Sequence, residues 1–229
     1  MDDPARQKPP PQIGNFAAAE GSHLDEETRD RLRRGGQAAL AREFLRHRHR
    51  LRRMIEVRLD RRLLGRVDPS EVLEEAFLEA VRRLDQYLAQ PPMPLFLWFR
   101  YLIGQRILAW HERLLGQQAE QPPSENIAGP SIRRPQADSA SLSMHLAGQF
   151  NQDGQIPQRQ NISVHIEQII SQLDPLDREI LALRHFEQLN NQEVAEELGL
   201  SPATASHRYI QALEKLGALL NSLPEFQKR

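Results

Sequence analysis

LNNQEVAEELGLSPATASHRYIQALEK, Leu189 to Lys215, decides how this chain is read. Asn190 stands as a helix N-cap, and Glu193 follows three positions on to close a capping box. Val194, Ala195 and Leu198 share one face of the helix that follows. Gly199 suits the left-handed position just past a helix end. Ser201 is then a new N-cap, and Pro202 a pre-set first turn. The second helix is predicted from Ala203 to about Leu220, with Ile210, Leu213, Leu216 and Leu220 inward. Two short helices joined by a three-residue turn are one way to set a helix into the DNA major groove. Ser201, Ala203, Thr204, Ser206, His207 and Arg208 open the second helix, where base edges and phosphates are met. Arg208 suits guanine or a phosphate, and the hydroxyls suit either. The same pattern also fits a plain helical hairpin.

Composition permits the DNA reading without demanding it. The net charge of −1 excludes a uniformly basic nucleic-acid coat, but the charges are polarised. Arg29 to Arg66 holds fourteen Arg against four acids, whereas Asp68 to Glu79 holds five acids and no base. Such blocks point to separate surfaces for separate partners. With no Cys, there is neither a disulfide framework nor a thiolate metal site. No apolar run approaches the roughly 20 residues that span a bilayer, and the start of the chain lacks a hydrophobic signal core. A cytoplasmic protein without membrane insertion is expected.

Helical periodicity divides the rest. Residues 1–27 read as a disordered tail rich in Pro, Gln and Ala. After Gly35-Gly36, the apolar positions Leu40, Phe44, Leu51, Ile55, Leu59 and Leu63 predict a helix ending at Gly65. Asp68-Pro69-Ser70-Glu71 caps a second helix reaching about Leu88, with Val72, Ala76, Phe77, Ala80, Val81 and Leu84 inward. Prolines make Gln90 to Pro94 a loop, and an apolar, aromatic helix follows from Leu95 to Leu115. Residues 117–161 read as a flexible linker, with room for a short helix around Leu142 to Phe150. A second helical domain occupies 162–222, where Asp174-Pro175 caps one more helix ahead of Leu189. The expectation is all-α: two helical domains, 28–116 and 162–222, with no strand-like alternation.

This order of elements resembles the extracytoplasmic-function sigma factors of bacterial RNA polymerase, and the words match too. DPSEVLEEAF, Asp68 to Phe77, is similar to the family's acidic polymerase-docking helix. WFRYLIGQR, Trp98 to Arg106, is similar to its promoter-melting helix. LDPLDREIL, Leu173 to Leu181, with Leu183-Arg-His-Phe186, resembles the opening of the domain that binds the minus-35 element. The resemblance implies a region 2-like domain at 28–116 and a region 4-like domain at 162–222. It implies core RNA polymerase as partner, through the largest subunit's coiled coil and the flap of the second-largest subunit. Promoter DNA and an anti-sigma factor are further implied partners. The chain departs from the family pattern at Glu74, Gln105, Ala109, His111 and Ser206. Its Ser-His-Arg-Tyr run, Ser206 to Tyr209, and its long Ser/Gln-rich linker resemble a planctomycete-type subgroup.

The candidate residues follow. Asp68, Glu71, Glu74, Glu75 and Glu79 would meet polymerase, since Glu71, Glu75 and Glu79 recur at helical spacing and opposite charge speeds encounter. Phe96, Arg100, Tyr101, Gln105 and Arg106 would meet minus-10 DNA, because rings stack unpaired bases and Arg neutralises phosphate. Trp98 faces inward with Leu102 by spacing. Catalysis is not indicated. His111-Glu112 lacks the second His that a zinc-protease pair needs, since Leu115 stands there, and no nucleophile has a base beside it. No enzyme activity, cofactor or metal is expected. An alternative sigma factor is the leading reading. Its rivals are a helix-turn-helix regulator that binds duplex DNA without polymerase, and a helical sigma mimic that sequesters a regulator.

Overall fold

The computed structural model describes residues 16–116, 135–137, 139–150 and 159–221. Its helices are α1 (Phe16–Arg58), α2 (Pro69–Ala89), α3 (Leu95–Leu115), α4 (Ser139–Phe150), α5 (Arg159–Ser171), α6 (Pro175–Leu181), α7 (Asn191–Leu198) and α8 (Pro202–Asn221). A 3-10 turn, Arg61–Leu63, follows α1, and a π turn, Ala182–Phe186, extends α6. The fold is all-α, with no strand among the described residues. No described helix is long and apolar enough to cross a membrane.

Helix boundaries follow local chemistry. At Gly36, φ 50° and ψ −138° break α1 into two arms, a conformation that only glycine adopts cheaply. Asp68 caps α2 by accepting the Ser70 N–H at 2.8 Å, with Pro69 at the first helical position. Asp174 caps α6 in the same way through Leu176 N–H at 2.9 Å. The first helix stops at Arg58 rather than at Gly65. Its end is fixed by Asp60, whose carboxylate caps the 3-10 turn and whose N–H is accepted by His111 Nε2 at 3.1 Å. That bond needs the neutral ring, and burial lowers the His111 pKa accordingly.

Aromatic rings join the first three helices. Phe44 of α1 lies 5.2 Å from Phe77 of α2 and 5.1 Å from Phe99 of α3, ring centre to ring centre. Trp98 is buried, as its spacing predicts, and stacks on Tyr87 at 4.3 Å. The Tyr87 hydroxyl donates to Met93 O at 3.1 Å and so pins the proline-rich loop to the core. Two apolar clusters result, and neither respects the expected division at the linker. The first takes α1–α3 and continues into Ile180, Leu183, Leu189, Val194, Ala195, Leu198 and Ala205. The second gathers α4, α5, α6 and α8 but includes Val57 of α1.

Two expectations change and one is met. Helix α1 already runs from Phe16, inside the expected tail, while residues 1–15 lie outside those described. The short helix for which the linker has room forms as α4, begins three residues earlier than Leu142, and buries Leu142 and Leu146 against α5. Residues 117–134 and 151–158 of that linker lie outside those described. In α8 the inner face is Ala205, Ala212 and Leu216, whereas Ile210 and Leu213 are exposed at 52% and 40%. Small side chains allow close approach along that face, which rotates the larger pair outward.

Two measurements check the packing. Phe44→Ala removes the ring that α2 and α3 share and should lower unfolding free energy by about 3–5 kcal/mol in urea titration. A loss below about 1 kcal/mol would mean the three helices do not meet there. Helix α4 rests on α1 partly through His145 Nε2, 3.9 Å from Glu56 Oε2. The Glu56 hydrogen bond raises the His145 pKa above 6.5, and the same bond lowers the Glu56 pKa below 4.5. The histidine's contribution is therefore complete below pH 6.5 and is lost as pH rises through the raised value. Amide exchange of α4 should accelerate over that window, beyond the intrinsic rise with pH, and His145→Gln should abolish the excess.

Candidate nucleic-acid interface

The helix-turn-helix forms with each predicted stop in place. Asn190 Oδ1 accepts the Glu193 N–H at 2.9 Å, and Glu193 Oε2 accepts the Asn190 N–H at 2.8 Å, completing the capping box. Gly199 takes φ 66° and ψ 31°, so Leu200 N–H can reach Ala195 O at 2.8 Å and close a Schellman motif. Ser201 Oγ accepts the Thr204 N–H at 3.1 Å and starts α8. Asn191 Nδ2 donates to Pro202 O at 2.7 Å, fixing one helix against the other.

This geometry leaves Ser201, Ala203, Thr204, Ser206 and His207 exposed together on the first turns of α8. A helix N-terminus favours phosphate through its backbone dipole, although Ser201 Oγ and Thr204 Oγ1 already share a hydrogen bond at 2.8 Å. Arg208 is half-buried and already engaged: its Nη1 donates to Asp177 at 3.0 Å and to Asp174 at 3.3 Å. Lys215 Nζ reaches the same Asp177 at 2.7 Å. The Asp177 side chain is 3% exposed, so it holds both cations at the base of α8. Sequence spacing placed Arg208 near DNA but gave no sign of these acidic partners thirty residues upstream.

The acidic helix is partly free. Asp68, Glu71 and Glu74 are exposed, and Glu75 is half-buried. Glu79 is not free, because Arg82 at 3.1 Å and Arg83 at 2.5 Å pair with it.

The aromatic-Arg helix departs most from expectation. Phe96 and Arg100, predicted to touch DNA, are buried in this arrangement. Phe96 lies under Arg50, whose guanidinium carbon is 3.8 Å from the ring centre, and beside His47. Arg100 pairs with the fully buried Glu187, which also accepts from Arg58 Nε at 2.8 Å. Tyr101, Gln105 and Arg106 are half-buried, and Pro135 packs over Gly104 between them. Two features escaped sequence reading. Arg58 looked like one Arg among fourteen, and Glu187 like the polar end of a helix. Only the fold brings residues 58, 100 and 187 together.

Gly199 tests the turn. Gly199→Ala places a Cβ in a left-handed residue and should destabilise the C-terminal unit by about 1–2 kcal/mol, read by thermal unfolding. An unchanged midpoint would mean that the turn does not need this conformation.

Comparison with known proteins supports the C-terminal geometry. Residues 163–216 match the family described as Sigma-70, region 4, which spans α5 to α8. No curated protein matches the chain. Its shape is similar to CnrH in "Structure of CnrH in complex with the cytosolic domain of CnrY". That likeness has 18% identity and a TM-score of 0.49, and covers 86% of this chain and 97% of that one. The region 4 match covers the capping box at Asn190, the Gly199 turn and the exposed first turns of α8. Residues 163–216, from α5 to α8, are thus similar to sigma-70 region 4.

Proposed function

We propose that the chain is an extracytoplasmic-function sigma factor that divides its work between two surfaces. The exposed start of α8, from Ser201 to His207, reads the minus-35 element, with Arg208 behind it. Helix α3, through Tyr101, Gln105 and Arg106 with Arg100 once released, holds the melted minus-10 strand. The acidic face of α2, centred on Glu71 and Glu75, docks on the polymerase core, and the coiled coil of the largest subunit is its basic counterpart. The observation that carries this reading is the region 4 match on 163–216 in series with an acidic helix and an aromatic-Arg helix. A duplex-only regulator needs neither helix. A sigma mimic has no use for the polar first turns of α8. The planctomycete-type grouping rests on Ser206 to Tyr209 and the long linker alone. The work is proposed to be cytoplasmic and to need no cofactor or catalytic group.

Reconstitution tests the division of labour. Core polymerase with this chain should initiate from a promoter library at a shared sequence, and core alone should not. Glu71→Lys with Glu75→Lys should abolish co-purification with core while helical circular dichroism is unchanged. Thr204→Ala with His207→Ala should weaken promoter binding by about 1–3 kcal/mol for each base contact removed. Tyr101→Ala should spare closed complexes and lower permanganate reactivity of minus-10 thymines, as expected for a lost stacking contribution of about 1–3 kcal/mol. Full reactivity in that variant would remove α3 from the melting site.

A further inference from the structure

Arg58 and Arg100 come from different helices, are 3% and 1% exposed, and converge on one carboxylate, Glu187, which is 0% exposed. Arg58 also donates from Nη1 to Pro135 O at 2.5 Å and pairs with Glu179 at 2.5 Å. Glu179 in turn accepts the Ala137 N–H at 3.2 Å. The segment 135–137 is thereby strapped across α3, and a Cβ on Gly104 would stand only 3.3 Å from Pro135 Cδ. Arg100 is not satisfied by this arrangement. Its Nε and Nη2 are buried without a hydrogen-bond partner, and Glu197 is 3.5 Å from Nη2 as an ion pair only. A cavity of about 20 Å³ beside them, lined in part by Arg58, Arg100, Tyr101 and Gly104, has room for a water and no more.

The local backbone is built to deliver Glu187. The π turn carries the Glu187 N–H back to Ala182 O at 3.0 Å, and Gln188 then takes φ 60°, an uncommon value for a residue other than glycine. Strain of this kind persists where surrounding contacts enforce it, and it marks functional positions. Two guanidinium forks around one anion are also the geometry that holds a phosphate, whose extra oxygens can take donors that a carboxylate leaves idle.

We propose that Arg58 and Arg100 form a phosphate-binding pair for the melted promoter strand, and that Glu187 occupies this site in the free chain. Arg58 is the new member of the site, and the proposal rests on α3 being the minus-10 surface. In the free chain the strap and Glu187 close that surface, while the first turns of α8 stay open. Polymerase binding separates the two halves, Glu187 withdraws with the region 4 unit, and a backbone phosphate replaces its carboxylate. The masking carboxylate and the DNA compete for the same donors, so the chain holds its melting surface shut until a partner opens it.

The test uses the full chain in three forms: wild type, Glu187→Gln, and Glu187→Gln with Arg58→Gln. Glu187→Gln keeps the shape and removes the charge. It should speed amide exchange along 135–137 and the side of α3 that the strap covers, and raise open complex at limiting protein on the order of tenfold. Adding Arg58→Gln should reduce the slope of log affinity against log salt by roughly 0.7 for a single-stranded oligonucleotide, one phosphate contact fewer. Unchanged exchange in Glu187→Gln overturns the masking, and an unchanged salt slope removes Arg58 from the phosphate site. If wild-type holoenzyme makes no promoter-specific transcript, the sigma reading itself has failed. The exchange and oligonucleotide arms need no polymerase, so they judge the masked phosphate site separately.

Discussion

One buried carboxylate, Glu187, holds two arginines that belong to another part of the chain, and the arrangement of the two halves depends on it. Charges cost several kcal/mol each to bury, and that cost is offset only when partners are close and well aligned. Burial pushes the Glu187 carboxyl up, but the Arg100 and Arg58 charges outweigh it and hold the group below its usual range. Burial likewise works against the charge on Arg58, and Glu179 and Glu187 more than restore it, so its pKa is raised. Each member is charged because the others are. Arg50, paired with Glu193 at 2.6 Å, extends the contact to the capping box of α7. The same glutamate therefore starts a helix of the region 4-like unit and anchors that unit to α1.

This contact explains why the apolar clusters cross the boundary that the sequence suggests. The first core runs from α1 through α3 into α7, so the closed state gains hydrophobic burial as well as ion pairing. It also explains the asymmetry of the two proposed DNA surfaces. The first turns of α8 are exposed, whereas α3 lies under the strap. A sigma factor must present both surfaces at once along a promoter. On the proposed reading, the free chain presents the first turns of α8 and keeps α3 covered.

The helix-turn-helix was legible because its signals are local: Asn190, Glu193, Gly199, Ser201 and Pro202 each act on backbone within a few residues. Helices α2 and α3 were legible for the same reason, through Asp68-Pro69 and the proline-rich loop. What sequence reading missed is long-range. Periodicity cannot show that Ala205 and Ala212 rather than Ile210 and Leu213 face inward, because that depends on how closely α6 approaches. Nor can it separate Arg100, which is buried, from Arg106, which is half-exposed, when both stand in one aromatic-Arg run. The carboxylate partners of Arg58 lie 121 and 129 positions away, beyond any local pattern.

The central claim is that Glu187 holds the halves of the free chain in one arrangement. The absence of Cys allows spin labels at introduced cysteines without background. Labels at the exposed positions Gln86 on α2 and Gln211 on α8 report the separation by pulsed electron paramagnetic resonance. The account predicts one narrow distance distribution for the free wild-type chain, and a broad, longer one for Glu187→Gln under the same conditions. A broad distribution already present in the wild type, or a narrow one that Glu187→Gln leaves unchanged, would contradict it.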